Sequence, residues 1–201
     1  MLKGLYVLTD DRIYPPSQWP SRVESIIEGG ANVIQLREKN LSDDELRPYA
    51  LKLQEICTAH EIPLIINDRV ELAKNIQADG VHIGSTDSSL KATRDYLGHD
   101  VYIGVSCYRD IYRAIRAQHL GADYIAFGRL FSSLTKKDAN YCPISIIQKA
   151  KKHIYIPICG IGGITADNAK KVSKAGASLI ATADSVFNAN NPEAVAKRFT
   201  V

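Results

Sequence analysis

The chain has 201 residues, 45% of them hydrophobic, and a formal net charge of +3. That length and composition suit one domain over residues 1–201 with a sizeable core, and they exclude a disordered chain. No block of like charge implies a nucleic-acid surface, and no run approaches the roughly 18 apolar residues of a membrane span.

The N-terminal apolar run stops at Thr9-Asp10. It is too short for a signal segment and reads as a first strand over residues 4–8. A loop with Tyr14-Pro15-Pro16 and Trp19 follows, then a helix over 21–28. This loop would lie over the mouth, where the aromatics either pack or flank an aromatic substrate. A strand over 32–36 runs into Gln35-Leu36-Arg37-Glu38-Lys39. Ser42 caps a helix over 43–60. A strand over 63–67 ends at Asn67-Asp68 and precedes a helix over 70–75. Next come a strand over 80–83 with His82 inside it, a helix over 88–96, a strand over 101–105 and a helix over 111–120. His82 reads as a packed strand residue without a chemical role. A strand over 124–127 leads to the polar stretch Ser132-Ser133-Leu134-Thr135-Lys136-Lys137-Asp138 and a helix over 145–152. A strand over 156–159 opens onto Gly160-Ile161-Gly162-Gly163, and Thr165 caps a helix over 166–175. The last pair is a strand over 178–182 and a helix over 192–199.

Gly30-Ala31-Asn32, Gln77-Ala78-Asp79, Gly121-Ala122-Asp123 and Gly176-Ala177-Ser178 each stand just before a strand. They mark the end of one unit and the start of the next. Eight βα units of about 25 residues each predict an α/β fold, a single-domain (β/α)8 TIM barrel near the lower size limit. A doubly wound open sheet would need a glycine-rich turn after the first strand, where Leu8-Thr9-Asp10-Asp11 stands instead.

In a barrel the chemistry belongs at the C-terminal strand ends. Gln35, Arg37 and Lys39 alternate by two, so an extended segment projects them from one face. Two cations facing a small volume are costly without an anion, and phosphate or pyrophosphate fits them. Asp68 and Asp87 end adjacent strands and either cap the following helices or hold Mg²⁺. Facing Arg37 and Lys39, the ligand role is the expectation. The glycines at 160, 162 and 163 open a helix and suit an anion. The hydroxyl- and lysine-rich loop after strand six could close over phosphates. Cys57, Cys107, Cys142 and Cys159 lack metal spacing and read as free thiols of a cytoplasmic protein.

These motifs together resemble the thiamine phosphate synthase and thiazole tautomerase superfamily across nearly the whole chain. They run from Tyr6-Val7-Leu8-Thr9-Asp10 through Ile34 to Lys39, Ile66 to Val70, Asp79 to Gly84, Gly104-Val105-Ser106, Phe131 to Asp138, and Gly160 to Ile164. The resemblance implies a transferase of thiamine biosynthesis. It would join hydroxymethylpyrimidine diphosphate to thiazole phosphate and release pyrophosphate by a Mg²⁺-assisted dissociative route. By the same resemblance, Gln35, Arg37, Lys39 and Asn67 would contact the pyrimidine diphosphate, and Ser106 would touch the pyrimidine side. Asp68 and Asp87 would bind Mg²⁺, and Lys136 would hold pyrophosphate. Ser133, Thr135 and the Gly163 amide would face the thiazole phosphate, with Ala183 and Asp184 in the same substrate-binding set. The implied partners are these small molecules, with no nucleic acid or membrane, and a homo-oligomer is left open.

The chain also departs from the family pattern. The loop after strand six usually carries a proline where Ser132 stands, and a glycine usual near Cys142-Pro143 is missing. Asp184 stands where a serine commonly meets the thiazole phosphate. An anion there is unfavourable unless paired, and Arg129, where the family usually has proline, is the expected partner. A thiazole tautomerase-like isomerase is an alternative reading. Its histidine after strand five is Tyr108 here, a poor proton shuttle with its usual pKa of about 10. A non-catalytic phosphate-binding relative is another alternative.

Overall fold

The computed structural model describes residues 1–84, 89–131 and 141–199. Eight parallel strands close into a barrel in chain order, with β1 hydrogen-bonded to both β2 and β8. They are β1 (Gly4–Leu8), β2 (Ala31–Leu36), β3 (Leu64–Asn67), β4 (Gly80–Ile83), β5 (Tyr102–Tyr108), β6 (Tyr124–Phe127), β7 (Ile158–Ile161) and β8 (Leu179–Thr182). Helices α1 (Trp19–Glu28), α2 (Asp43–Ala59), α3 (Val70–Asn75), α4 (Leu90–Leu97), α5 (Ile111–His119), α6 (Ser145–Ala150) and α7 (Ala166–Lys174) connect successive strands. After β8 come two short helices, α8 (Asp184–Phe187) and α9 (Pro192–Ala196). The (β/α)8 expectation is met.

Strand pleating separates two apolar volumes. Tyr6, Leu8, Val33, Ile65, Tyr124, Ala126, Cys159, Leu179 and Ala181 fill the barrel interior. Leu5, Val7, Ile34, Ile66, Val81, Ile103, Ile125 and Ile180 face outward against the helices. Burial on both faces is why each strand reads as a near-continuous apolar run.

The recurring turn before the strands has a physical cause. Gly30, Gly121 and Gly176 adopt φ of +97°, +89° and +109°, and Gln77 takes the same role at φ +53°. The polar residue that follows then ties the neighbouring strand. Asn32 accepts from the Leu5 N–H at 2.9 Å, Asp79 from Leu64 at 2.9 Å and Asp123 from Ile103 at 2.7 Å. Each accepts an N–H at the bottom of a neighbouring strand, so one short motif ends a helix and supports the sheet.

Several boundaries differ from the sequence reading, and three differences bear on the site. β7 lies two residues later than expected, so Gly160 and Ile161 belong to the strand and not to the loop. A Cβ on Gly160 would fall 2.5 Å from Val172 Cγ1 and 2.9 Å from Leu130 Cδ1. The close approach of α7 and the loop after β6 favours glycine there. β5 extends to Tyr108, which keeps Ser106, Cys107 and Tyr108 within the strand. The α8 turn was not anticipated, because four residues are too few for a hydrophobic period to register.

Candidate active site

The C-terminal ends of β2, β3 and β5 carry the expected polar side chains. Gln35 is buried on the interior face, while Arg37 and Lys39 lie just beyond β2 in the loop to α2. Glu38 shapes that loop. Its buried carboxylate accepts the backbone N–H of Asn40 (2.6 Å) and of Leu41 (2.7 Å). Arg69 clamps the same loop: it donates to the Leu41 carbonyl at 2.6 Å, pairs with Glu38 at 3.2 Å and pairs with Asp43 at 2.6 Å. A buried carboxylate matched by three or more donors is a rigid brace. Both residues were missed as site supports, although Glu38 inside a cationic cluster was the available signal. Thr9 ties the loop to β1, its hydroxyl donating to the Arg37 carbonyl (3.0 Å) and accepting from the Arg37 N–H (2.8 Å).

Asp68 sits at φ +63°, a left-handed conformation that Asp tolerates better than most residues. It does not cap α3, whose N-cap is Arg69 with no side-chain cap. Instead its carboxylate is partly exposed and accepts from Lys39 Nζ at 3.0 Å. The geometry thus joins Lys39 and Asp68 across the β2 and β3 ends and removes the capping explanation for Asp68. Asn67 is the last residue of β3. Among the described residues no group of three or more His, Cys, Asp or Glu is arranged to hold a metal. Asp87, Ser133, Thr135 and Lys136 lie outside the described residues.

A buried hydrogen-bonded chain crosses the interior beneath this mouth. Gln35 Nε2 donates to Tyr6 Oη at 2.6 Å, and Tyr6 Oη lies 2.9 Å from Tyr124 Oη. Tyr124 Oη lies 3.0 Å from His82 Nδ1, and His82 Nε2 lies 2.8 Å from Ser106 Oγ. Burial pushes the His82 pKa down to about 4 despite the nearby Asp68, so the ring is neutral near pH 7. Burial raises both tyrosine pKa values. His82, read from sequence as a packed residue, therefore contacts Ser106 directly. The missed signal was parity: Tyr6, Gln35, His82, Ser106 and Tyr124 all occupy inward positions of their strands.

On the β7–β8 side, Gly162 and Gly163 take φ +100° and +66°. The loop is fixed from beneath, since Thr182 and Ser185 hydroxyls both donate to the Ile164 carbonyl, at 3.1 and 2.8 Å. Asn168 caps α7 by accepting the Thr165 N–H at 2.9 Å and donates to the Gly163 carbonyl at 3.0 Å. Ala183 precedes α8, and Asp184 is its first residue.

The expected Asp184–Arg129 pair does not form. Asp184 accepts from Arg12 at 3.0 Å and from Asn188 at 3.1 Å. Arg12 also forks onto buried Asp10, its Nε lying 2.8 and 3.0 Å from the two carboxylate oxygens. The first loop reaches Asp184 because β1 and β8 are neighbours in the closed ring. Arg129 packs instead beside Gly162, where an added Cβ would fall within 2.6 Å of its side chain. The Nε and Nη1 atoms of Arg129 are buried without hydrogen-bond partners. Trp19 is fully buried and donates to the Tyr14 carbonyl at 3.0 Å, while the Arg22 guanidinium covers the Tyr14 ring at 3.6 Å. These aromatics pack the first loop. All four cysteines are free and buried.

Fold and mouth together define a barrel enzyme of the (β/α)8 class. Residues 5–186 match the thiamine monophosphate synthase family. The chain is 41% identical over 198 residues to the thiamine-phosphate synthase of Nitrosococcus oceani, covering 98% of this chain and 91% of that protein. It is 43% identical over 187 residues to that of Methylococcus capsulatus, covering 93% and 83%. The solved thiamine phosphate pyrophosphorylase from Pyrococcus furiosus superposes with a TM-score of 0.89 at 31% identity, covering 98% of this chain and 93% of that one. The chain belongs to the thiamine monophosphate synthase family.

Proposed function

We propose that this chain is a cytoplasmic thiamine phosphate synthase, coupling hydroxymethylpyrimidine diphosphate to thiazole phosphate within one domain over residues 1–201. The observation that carries this reading is the Lys39–Asp68 pair at the joined ends of β2 and β3, beside Arg37 and above buried Gln35. Family membership supplies the chemistry for which such a mouth is suited.

In this reading Arg37, Lys39 and Lys136 bind the diphosphate, and Gln35, Asn67 and Ser106 orient the pyrimidine. The bond between the pyrimidine methylene carbon and the diphosphate oxygen breaks, and its electron pair leaves with pyrophosphate. The thiazole nitrogen lone pair then forms the new C–N bond, so no proton need be transferred. Cations fixed beforehand at the leaving group favour charge that grows in the transition state. Ser133, Thr135, the Gly163 amide, Ala183 and Asp184 would lie at the thiazole phosphate. Arg12 pairs with both Asp10 and Asp184, so the trio keeps one net negative charge, and the phosphate there would rely on the Gly163 amide and the Ser133 and Thr135 hydroxyls.

Asp68 fits a magnesium role. Its carboxylate is a hard oxygen donor, partly exposed and not spent on helix capping. Asp68 and Asp87 would hold Mg²⁺, whose contribution when bound is neutralising charge on the departing diphosphate.

The test is direct coupling. The protein, both heterocyclic phosphates and Mg²⁺ are combined, and thiamine phosphate and pyrophosphate are followed by mass spectrometry. Both products should accumulate in equal amounts. Product no greater than in a protein-free control would contradict the assignment.

A further inference from the structure

The interior chain Gln35–Tyr6–Tyr124–His82–Ser106 links two residues of the proposed substrate site through three that the proposed function does not use. Tyr6, Tyr124 and Gln35 are buried, and His82 is 9% exposed. The barrel makes room for the crossing. A Cβ on Gly104 would lie 2.0 Å from Tyr124 Cζ and 2.4 Å from its hydroxyl, so only glycine leaves space for the phenol here.

The polarity of such a chain follows from its donors. A phenol has one proton, and a neutral imidazole has one N–H and one bare nitrogen. Gln35 Nε2 donates to Tyr6 Oη, and every buried donor in the chain is then satisfied when the Tyr6 proton goes to Tyr124 Oη. Tyr124 then gives its own proton to His82 Nδ1. With Nδ1 accepting, the His82 proton sits on Nε2 and points at Ser106 Oγ. Turning the Gln35 amide over reverses every link, because its oxygen would accept from Tyr6 and leave His82 protonated on Nδ1. The two polarities therefore differ in an observable at His82, about three hydrogen bonds from the amide that sets it.

We propose that this chain is a one-way relay, set by the Gln35 amide, that holds His82 as the Nε2–H tautomer and turns the Ser106 hydroxyl proton toward substrate. Tyr6, Tyr124 and His82 are then positioning residues. His82 fills one Ser106 lone pair, and the Ser106 proton is the group left for an acceptor such as a pyrimidine nitrogen. The relay couples the two sides of the substrate pocket: the amide that meets substrate at β2 decides how the hydroxyl at β5 is presented. The Ser106 step rests on the synthase reading, whereas the His82 tautomer does not.

The test uses the full chain labelled with ¹⁵N-histidine. Long-range ¹H–¹⁵N correlations report which nitrogen of His82 carries the proton, with the signal assigned through His82→Gln. Wild type should carry it on Nε2. Tyr124→Phe removes the donor to Nδ1 and should give both tautomers. In the coupling assay kcat should fall about tenfold, the size of one lost hydrogen bond, with KM for each substrate changed by less than about twofold. Tyr6→Phe cuts the relay one link earlier, should shift the tautomer in the same direction, and serves if Tyr124→Phe folds poorly. His82 protonated on Nδ1 in wild type overturns the relay, as does a pair of phenylalanine variants with wild-type tautomer and kcat. A wild type that makes no thiamine phosphate defeats the synthase reading, and the tautomer still decides the relay.

Discussion

Asp10 is buried, and burial alone would raise its pKa. Side-chain and backbone hydrogen bonds from Arg12, the Arg12 charge and the Asn188 amide outweigh that cost and hold it below the ordinary value of 3.8. A depressed carboxylate pKa stabilises the fold above the unfolded value, and the benefit is lost as pH falls through the folded one. Asp10→Asn should therefore cost about 1–3 kcal/mol at pH 7 in urea unfolding. The gap from wild type should close as pH drops below 3.8 and through the lower folded value. A gap that stays constant down to that range would remove the ion-pair explanation. The same residues explain a misread partner. The Asp184 charge and its need for a cation were legible, but the choice between Arg129 and Arg12 depends on which loops the closed ring makes neighbours. Sequence spacing carries no such information.

At the scale of elements, strand and helix order was legible because apolar runs and turn residues alternate eight times. The Ser42 cap was legible from its residue type, and the structure adds the reciprocal bond from Glu45 that completes a capping box. The β7 boundary was not legible, since Gly160 looks like the first member of a glycine loop. Its true role is clearance between β7, α7 and the loop after β6. Gly160→Ala should force Val172 or Leu130 to shift and lose about 1–3 kcal/mol of stability, read from chemical unfolding. A neutral outcome would mean those side chains have other rotamers to accept the methyl. His82 is packed inside β4 as expected, but its hydrogen-bond partners were not legible. One strand histidine says little alone, and its meaning depends on Tyr124 and Ser106 arriving from β6 and β5.

For the molecule as a whole, ring closure does what no single motif can: it brings β1 beside β8 and sets the C-terminal ends of all eight parallel strands around one mouth. Gln35, Asn67 and Ser106 lie on β2, β3 and β5, and Arg37, Lys39 and Asp68 lie in the loops just beyond β2 and β3, where Lys39 and Asp68 pair. Gly163, Ala183 and Asp184 occupy the β7 and β8 side. The central claim is that the first group grips a departing diphosphate. Titration of pyrophosphate into wild type and Arg37→Ala by calorimetry, at one fixed Mg²⁺ concentration, tests it most directly. Loss of a charge-assisted phosphate contact should weaken binding by roughly ten- to a hundredfold in the variant. Equal affinity for pyrophosphate in the two proteins would contradict the account.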